Sequence, residues 1–457
     1  MIARNLSLSA LALASACGWA LPAAAQDADS ATIQEELAAM RAQMAAMAAR
    51  METLQAQLDQ AAATAIAAEA TAAGAAAAAK EAASEPPVAV SWKGAPLIEG
   101  KGGWSFKPRG RLQFDAGWTD APPSTGRSDG FGSEARRIRL GVEGDIPGGF
   151  GYKFEADFAD GVEVTDAILT YGHEGVTVSV GQHNTFQGLE ELTSSRFSSM
   201  IERAAFTDAF GFERRVGASV QYGAGDIIVQ GGVFSDNIDA LPNKGFSVDG
   251  RAVYMPKLGA AQLHLAGSIH HADLNDPITA VRYRQRPLVH FTAERFIDTG
   301  TFGAASETGY GLEGAAISGP FHFAAEGFWQ SVARPGMPDP TFFGGYAEVG
   351  LFLTRGDSRG YKGGIFDRVK PAKEVGEGGI GAIQVNLRYD HLDLTDAGIV
   401  GGTQRGYLAS LIWTPTDYTR FLLNYGKVDY TDAVHPAAGG DTSYGVDAVG
   451  MRAQVDF

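Results

Sequence analysis

From about residue 109 to its end, the chain alternates apolar and polar residues in short runs separated by turn residues. The last run is the plainest. Counting back in twos, Phe457, Val455, Ala453 and Met451 are apolar, while Asp456, Gln454 and Arg452 between them are polar or charged. A strand sends alternate side chains to opposite faces, so Ser443 to Phe457 reads as a strand with one oily and one wet side. The pattern recurs upstream. Arg111, Gln113 and Asp115 alternate with Leu112, Phe114 and Ala116, and Arg137, Arg139 and Glu143 with Ile138, Leu140 and Val142. Lys153, Glu155 and Asp157 alternate with Phe154, Ala156 and Phe158. Val176, Val178 and Val180 form an outward set, as do Val216, Ala218, Val220 and Tyr222. His264 stands opposite Leu263 and Leu265, and His322 opposite Phe321 and Phe323. Ile383, Val385, Leu387 and Tyr389 leave Gln384, Asn386, Arg388 and Asp390 on the other face.

Tight turns are predicted at Pro147-Gly148-Gly149, His173-Glu174-Gly175, Gly223-Ala224-Gly225, Gly319-Pro320 and Thr414-Pro415-Thr416-Asp417. Longer polar connections alternate with them, around 119–133, 184–211, 236–245, 272–307, 394–404 and 431–442. Short turns on one rim and long loops on the other are the arrangement of an outer-membrane barrel, oily outside and wet inside. The predicted fold class is all-β, a transmembrane antiparallel barrel of about sixteen strands over residues 105–457. A final aromatic, Phe457, suits such a barrel. A soluble β-sandwich array is the competing reading, but no domain linker breaks residues 105 to 457.

The N-terminal part follows other periods. Arg4, the apolar stretch Leu6 to Leu21 and Ala23-Ala24-Ala25 before Gln26 read as an export signal over residues 1–25. The chain's one cysteine, Cys17, falls inside it, so a lipoprotein signal is the alternative, with Ala14 where such signals usually carry Leu. Cleavage after Ala25 leaves no thiol for disulfides or catalysis. Ile33, Leu37, Met40, Met44, Met47, Met51, Leu54 and Leu58 are spaced alternately by four and three, an a/d heptad seam. A strict 3.5-residue period predicts self-association rather than a lone amphipathic helix. Ala-rich residues 59–83 continue the helix or act as a spacer, and Pro86-Pro87 ends it. Residues 26–83 are thus expected to stand in the periplasm as a coiled coil and spacer, with 84–104 as a linker.

Composition narrows the picture. Beyond the N-terminus, the 457-residue chain has no run of 18 apolar residues, which excludes a bundle of membrane helices. Its 59 glycines and 10% aromatics suit many strands and turns, and a mean hydropathy of −0.08 suits alternation. The net charge of −16 argues against nucleic acid as a partner and leaves the lumen's local field open.

Several stretches resemble the phosphate-selective porin O/P family of outer-membrane porins. They are Gly110-Arg111-Leu112-Gln113, Arg136-Arg137-Ile138-Arg139-Leu140-Gly141, Lys153-Phe154-Glu155-Ala156-Asp157-Phe158 and Gly181-Gln182. Leu189-Glu190-Glu191-Leu192-Thr193-Ser194-Ser195, Ile201-Glu202-Arg203, the span Arg286-Pro287 to Asp298-Thr299-Gly300, and Arg388-Tyr389-Asp390-His391-Leu392-Asp393-Leu394 complete the set. The resemblance implies a homotrimer of sixteen-stranded barrels in outer-membrane lipid. Each barrel has a pore narrowed by an infolded third loop. It also implies phosphate or polyphosphate as the passing anion. Arg282, Arg284 and Arg286, spaced by two, match the arginine ladder of phosphate-selective members, with His290 as a further basic rung. Arg136 and Arg137 match a paired-Arg feature, and Ser194 and Ser195 the hydroxyls of the constriction loop. Guanidinium forks suit tetrahedral oxyanions because they give paired, directed hydrogen bonds. Arg139, Lys153 and Arg196 are further anion-binding candidates, although Arg137, Arg139 and Lys153 also suit pairing with Glu143, Glu155 and Asp157 across a wet wall.

The chain departs from the family where Glu190 and Glu191 stand in place of a third-loop lysine, for which Arg196 or Arg203 is the available substitute. A general porin with weak selectivity, tethered to peptidoglycan through the coiled coil, therefore remains as the alternative. Other chemistry is not expected. Gly376-Glu377-Gly378-Gly379-Ile380-Gly381 lacks the preceding strand and following helix of a dinucleotide site. His270-His271 lacks an acidic partner at metal-ligand spacing and reads as exposed loop. No nucleophile has a placed base, so no catalytic residue, metal or cofactor is assigned.

Overall fold

The computed structural model describes residues 30–82, 88–127, 130–240, 245–276 and 279–457; the predicted export signal lies outside them. Two units are separated by contacts, Met1–Pro86 and Pro87–Phe457. In the first, one helix, α1 (Ser30–Ala82), runs without a break for 53 residues. Alanine is the best helix former and no proline interrupts it. Leu37, Met40, Met44, Met47, Met51, Leu54 and Leu58 are all exposed on it, since a single helix has nothing to bury them against. Among the described residues no helix is long and apolar enough to cross a membrane.

The second unit is a closed barrel of sixteen antiparallel strands. They are β1 (Ser105–Asp120), β2 (Gly130–Ile146), β3 (Phe150–Asp157), β4 (Glu163–His173), β5 (Val176–Asn184), β6 (Arg214–Ala224), β7 (Ile227–Phe234) and β8 (Phe246–Tyr254). The circuit continues with β9 (Ala261–Asp273), β10 (Ser306–Ser318), β11 (Phe321–Ala333), β12 (Thr341–Phe352), β13 (Ala382–Asp396), β14 (Ile399–Thr416), β15 (Thr419–Thr431) and β16 (Gly445–Asp456). Each pairs with its neighbour, and β16 closes on β1 from Asp447↔Asp120 to Asp456↔Arg111. The terminal Phe457 finishes the seam by exchanging backbone hydrogen bonds of 3.1 Å with Gly110. A Cβ on Gly110 would stand 2.3 Å from the Phe457 ring, so any side chain there would have to displace it.

The alternation read from the sequence governs the wall. On β16, Met451, Ala453 and Val455 are exposed, while Arg452, Gln454 and Asp456 are buried inside. His270 and His271 are a correction: they lie on β9, not in a loop. His270 is buried on Asp249 at 2.8 Å, and His271 faces out beside Thr308. The wall is uneven, with 8 residues in β3 and β7 against 17 in β2 and 18 in β14.

The rims differ from expectation at three places. The loop expected at 394–404 is only the turn Ala397-Gly398, both with positive φ, between β13 and β14. On the short-turn rim, β12 and β13 are instead joined by residues 353–381, a 29-residue connection the turn pattern did not announce. It carries a hairpin, Gly360–Lys362 with Ile365–Asp367. The segment expected as a linker, 84–104, holds a hairpin of Ala89–Trp92 with Pro96–Glu99 that pairs onto the start of β1.

Sixteen strands enclose more room than wall side chains fill. Three segments enter it: loop L3 (185–213), loop L5 (274–305) and the 353–381 hairpin. The apolar core therefore lies inside the barrel. Leu189, Met200 and Phe206 of L3 and Phe296 and Ile297 of L5 pack on Phe328, Phe342, Leu392 and Tyr430 of the wall. Gly344 on β12 permits this contact, since a Cβ there would stand 2.4 Å from the Cβ of Phe206.

Candidate functional site: the constricted lumen

L3 is fixed by charges on the wall. Its two short helical turns, Leu189–Leu192 and Ala205–Ala209, aim free N–H groups at carboxylates. Glu326 accepts from the N–H of Leu189 (2.8 Å) and Glu190 (2.7 Å), and Asp390 from that of Ala205 (3.2 Å). Buried carboxylates thus satisfy donors that the turns leave open. On the other side of the loop, arginines take the carbonyls. Arg203 reaches those of Glu190, Glu191 and Thr193 at 2.9–3.0 Å. Arg420 bonds Arg196 O (3.0 Å) and Ser198 O, and Arg359 of the inserted segment bonds Phe197 O.

The acidic pair Glu190-Glu191 is disposed of within this frame. Glu190 turns to Arg388 at 2.7 Å, and Arg388 also holds Glu348. Glu191 sits 3.4 Å from Arg203. Burial pushes the Glu191 carboxyl up, against the pull of Arg203. Glu202 is the opposite case. Burial works against its charge, yet Arg136, Arg137 and Arg452 together hold it well below the usual carboxylate range.

The sequence-derived anion candidates are distributed along the lumen rather than gathered. A β-bulge on β2 skips Arg136 between the pairs Gln113↔Arg137 and Phe114↔Ala135, so consecutive arginines both turn inward. Arg136 forks onto Glu202 at 2.9 and 3.1 Å. Arg137 donates to Gln113 at 3.0 Å and, among the described residues, has no carboxylate within ion-pair distance. Arg139 pairs with Asp157 at 2.7 Å and reaches Glu155 at 3.3 Å. Lys153 pairs with Asp166 (2.6 Å), not with the carboxylates of its own strand. Ser195 accepts from Arg111 at 2.7 Å, and Ser194 from the side chain of Arg196 at 3.2 Å, so both hydroxyls are engaged within the protein. Arg196 lies on the turn-rim side of L3, 3.4 Å from Asp456.

The 282–286 run needs correction. Its spacing by two does not make a free ladder, because Arg282 forks onto Asp298 across the Arg284–Gln285/Ile297–Asp298 ladder of L5. Burial raises Asp298, and the Arg282 fork with the Gly300 N–H reverses that and lowers it. Arg282 and Arg284 line an outer depression of about 440 Å³ with Arg127, Arg295 and His435. Arg286 turns instead into the inner cavity, bonding Thr292 O at 3.0 Å. His290 pairs with Glu134 at 2.8 Å. The inner cavity, about 240 Å³, is bounded by Arg136, Arg137, Glu191, Glu202, Arg203 and Arg214. Below L3 a pocket of about 20 Å³ is lined by Arg196, Arg359, Arg368 and Arg420 with Asp417 and Asp456.

A true strand ladder lies elsewhere. Lys107, Arg109 and Arg111 occupy alternate positions of β1 and face inward beside Arg139 and Glu155. The spacing by two that singled out 282–286 was present here too, on a segment that is a strand. Beyond β3, apart from Asp166 and Arg214, several inward positions are small or neutral: Thr170, Thr177, Ser179, Gln221 and Gln230 are half-buried.

Three comparisons bear on this arrangement. The profile of a family described as phosphate-selective porin O and P matches residues 106–457. An uncharacterised protein of Caulobacter vibrioides is 49% identical over 385 residues, covering 81% of this chain and 78% of its own. Among solved structures, the anion-selective porin from Comamonas acidovorans is 14% identical, with 78% of this chain and 100% of that one covered and a TM-score of 0.50. OmpT of Vibrio cholerae is 10% identical, with 79% and 100% covered and a TM-score of 0.51. At those identities the two structures speak to the barrel fold alone.

Proposed function

This chain belongs to the phosphate-selective porin O and P family of outer-membrane porins, and on that premise we propose that it passes small anions by diffusion, with phosphate or polyphosphate preferred. The observation that carries this reading is the placement of guanidinium groups on both sides of L3. Arg136, Arg137, Arg203 and Arg214 border the cavity on one side, and Arg196, Arg359, Arg368 and Arg420 the pocket on the other. An anion at the narrow point exchanges water for directed N–H donors that never deprotonate. The outer depression with Arg282 and Arg284 gathers anions before entry.

A second reading is a general porin of weak selectivity. It is favoured by Glu191 and Glu202 in the same cavity, since fixed carboxylates there oppose anion binding. Bilayer recording of the purified protein separates the two. The first reading expects anion-over-cation permeability and a chloride current that added inorganic phosphate reduces; the second expects a chloride current indifferent to phosphate. The exposed seam of α1 supports periplasmic self-association, and the family resemblance implies three copies. Removing residues 30–82 from the full chain should then lower trimer stability in detergent without removing the channel.

A further inference from the structure

We propose that Glu155 is a tethered occupant of an anion subsite formed by Arg109, Arg111 and Arg139, which permeating oxyanions take over by displacing it. The proposal deepens the anion-channel reading and rests on it. Elsewhere in the barrel, buried carboxylates are held by closed forks: Arg452 meets Asp115 at 2.7 and 2.6 Å, and Arg251 meets Glu313 at 2.8 and 2.6 Å. Glu155 is as deeply buried but has no such fork. Its oxygens lie 3.3 Å from Arg139 Nη1, 3.5 Å from Arg109 Nε and 3.8 Å from Arg111 Nη2. Its other side-chain contact is the Thr165 hydroxyl at 3.2 Å.

Arg109 and Arg139 each have a carboxylate of their own, Glu143 and Asp157, so Glu155 is the loosely shared third, and the donor capacity left over is that of Arg111. Only 7% exposed, Arg111 has an Nε–H with no hydrogen-bond partner among the described residues. A buried donor without an acceptor is costly, so this arrangement favours a further oxygen. A carboxylate offers two oxygens on a short leash, whereas a tetrahedral oxyanion brings more and can orient freely. The approach is from Lys153, whose side chain is 29% exposed, against 4% for Glu155. The tether also accounts for release. Without Glu155 the Arg111 site would hold an anion longer, and a competing internal carboxylate makes the well shallower.

The test is bilayer recording of full-length protein in chloride with added inorganic phosphate, comparing wild type with Glu155→Gln. The proposal expects the half-blocking phosphate concentration to fall by about tenfold, the order expected when one nearby charge is removed in a partly screened site. Anion-over-cation permeability should rise with it. A half-blocking concentration within twofold of wild type overturns the proposal. Should Glu155→Gln fail to give stepwise currents, Glu155→Asp withdraws the carboxyl by one methylene, and unchanged block there overturns the proposal equally. A wild type with no anion preference sinks the anion-channel reading instead. In that case, anion preference appearing in Glu155→Gln still supports the tethered carboxylate, and none appearing rejects it.

Discussion

The two sides of the barrel wall use charge in opposite ways. From β10 round to β16, inward positions are sealed: Asn386, Arg388, Asp390, Gln404, Asn424 and Arg452 are all at most 4% exposed, because L3 and L5 press on them. Charges there close into forks and triads such as Glu190–Arg388–Glu348, and they serve to hold loops. From β4 to β7 several inward residues, Thr170, Thr177, Ser179, Gln221 and Gln230, are uncharged and only half-buried, and Lys153 of β3 beside them keeps a side chain that is 29% exposed. The difference teaches that a cation's role in this lumen follows from what covers it. Arg388 and Arg452, pressed under L3, are neutralised in place by carboxylates, whereas Lys153, still 29% exposed, keeps capacity for a passing ion.

That contrast can be broken at either side. The largest effect is expected from Arg388→Ala, which leaves Glu190 and Glu348 buried without their shared cation. Removing one partner of a buried ion pair costs about 3–5 kcal/mol. Thermal unfolding in detergent, followed by β-sheet circular dichroism, should show a clearly lowered midpoint, and an unchanged midpoint would show that L3 is held by packing alone. On the wet side, Lys153→Gln should do the reverse. Asp166 keeps Arg214 at 3.0 Å, so the unfolding midpoint should barely move while anion preference in a bilayer falls. Loss of stability with selectivity intact would erase the distinction between the two sides. The smallest effect is expected from Arg284→Ala in the exposed outer depression, where salt screens the field. Anion permeability should drop slightly at low ionic strength and not at all at high, and a drop that persists at high salt would assign Arg284 a direct contact.

Much of the architecture was legible along the chain. The period-two alternation placed Arg452, Gln454 and Asp456 inside and Met451 and Val455 outside, because a strand has only two faces. The glycine- and proline-marked turns fell at strand ends, apart from Ala397-Gly398, whose loop was drawn too long, and the unforeseen 353–381 insertion. Site residues were harder to place. Arg136 and Arg137 could not both face the lumen in a regular strand, and only the bulge in β2 allows it. Arg282 and Arg284 had the right spacing, yet Asp298, sixteen residues away, was supplied as a partner by a loop ladder no local pattern displays. Arg109 and Arg111 have the same spacing on a genuine strand, where both face inward.

Local alternation, set by the geometry of an extended backbone, was enough for the sequence to determine a two-faced wall of about sixteen strands with a helical segment ahead of it. Only the tertiary structure decided which wall charges are spent on L3, L5 and the 353–381 hairpin and which stay open to the lumen. The physical reason is that infolded segments meet the wall through contacts between residues hundreds of positions apart, such as Glu190 with Arg388, and burial by those contacts decides whether a charge must be paired or left available.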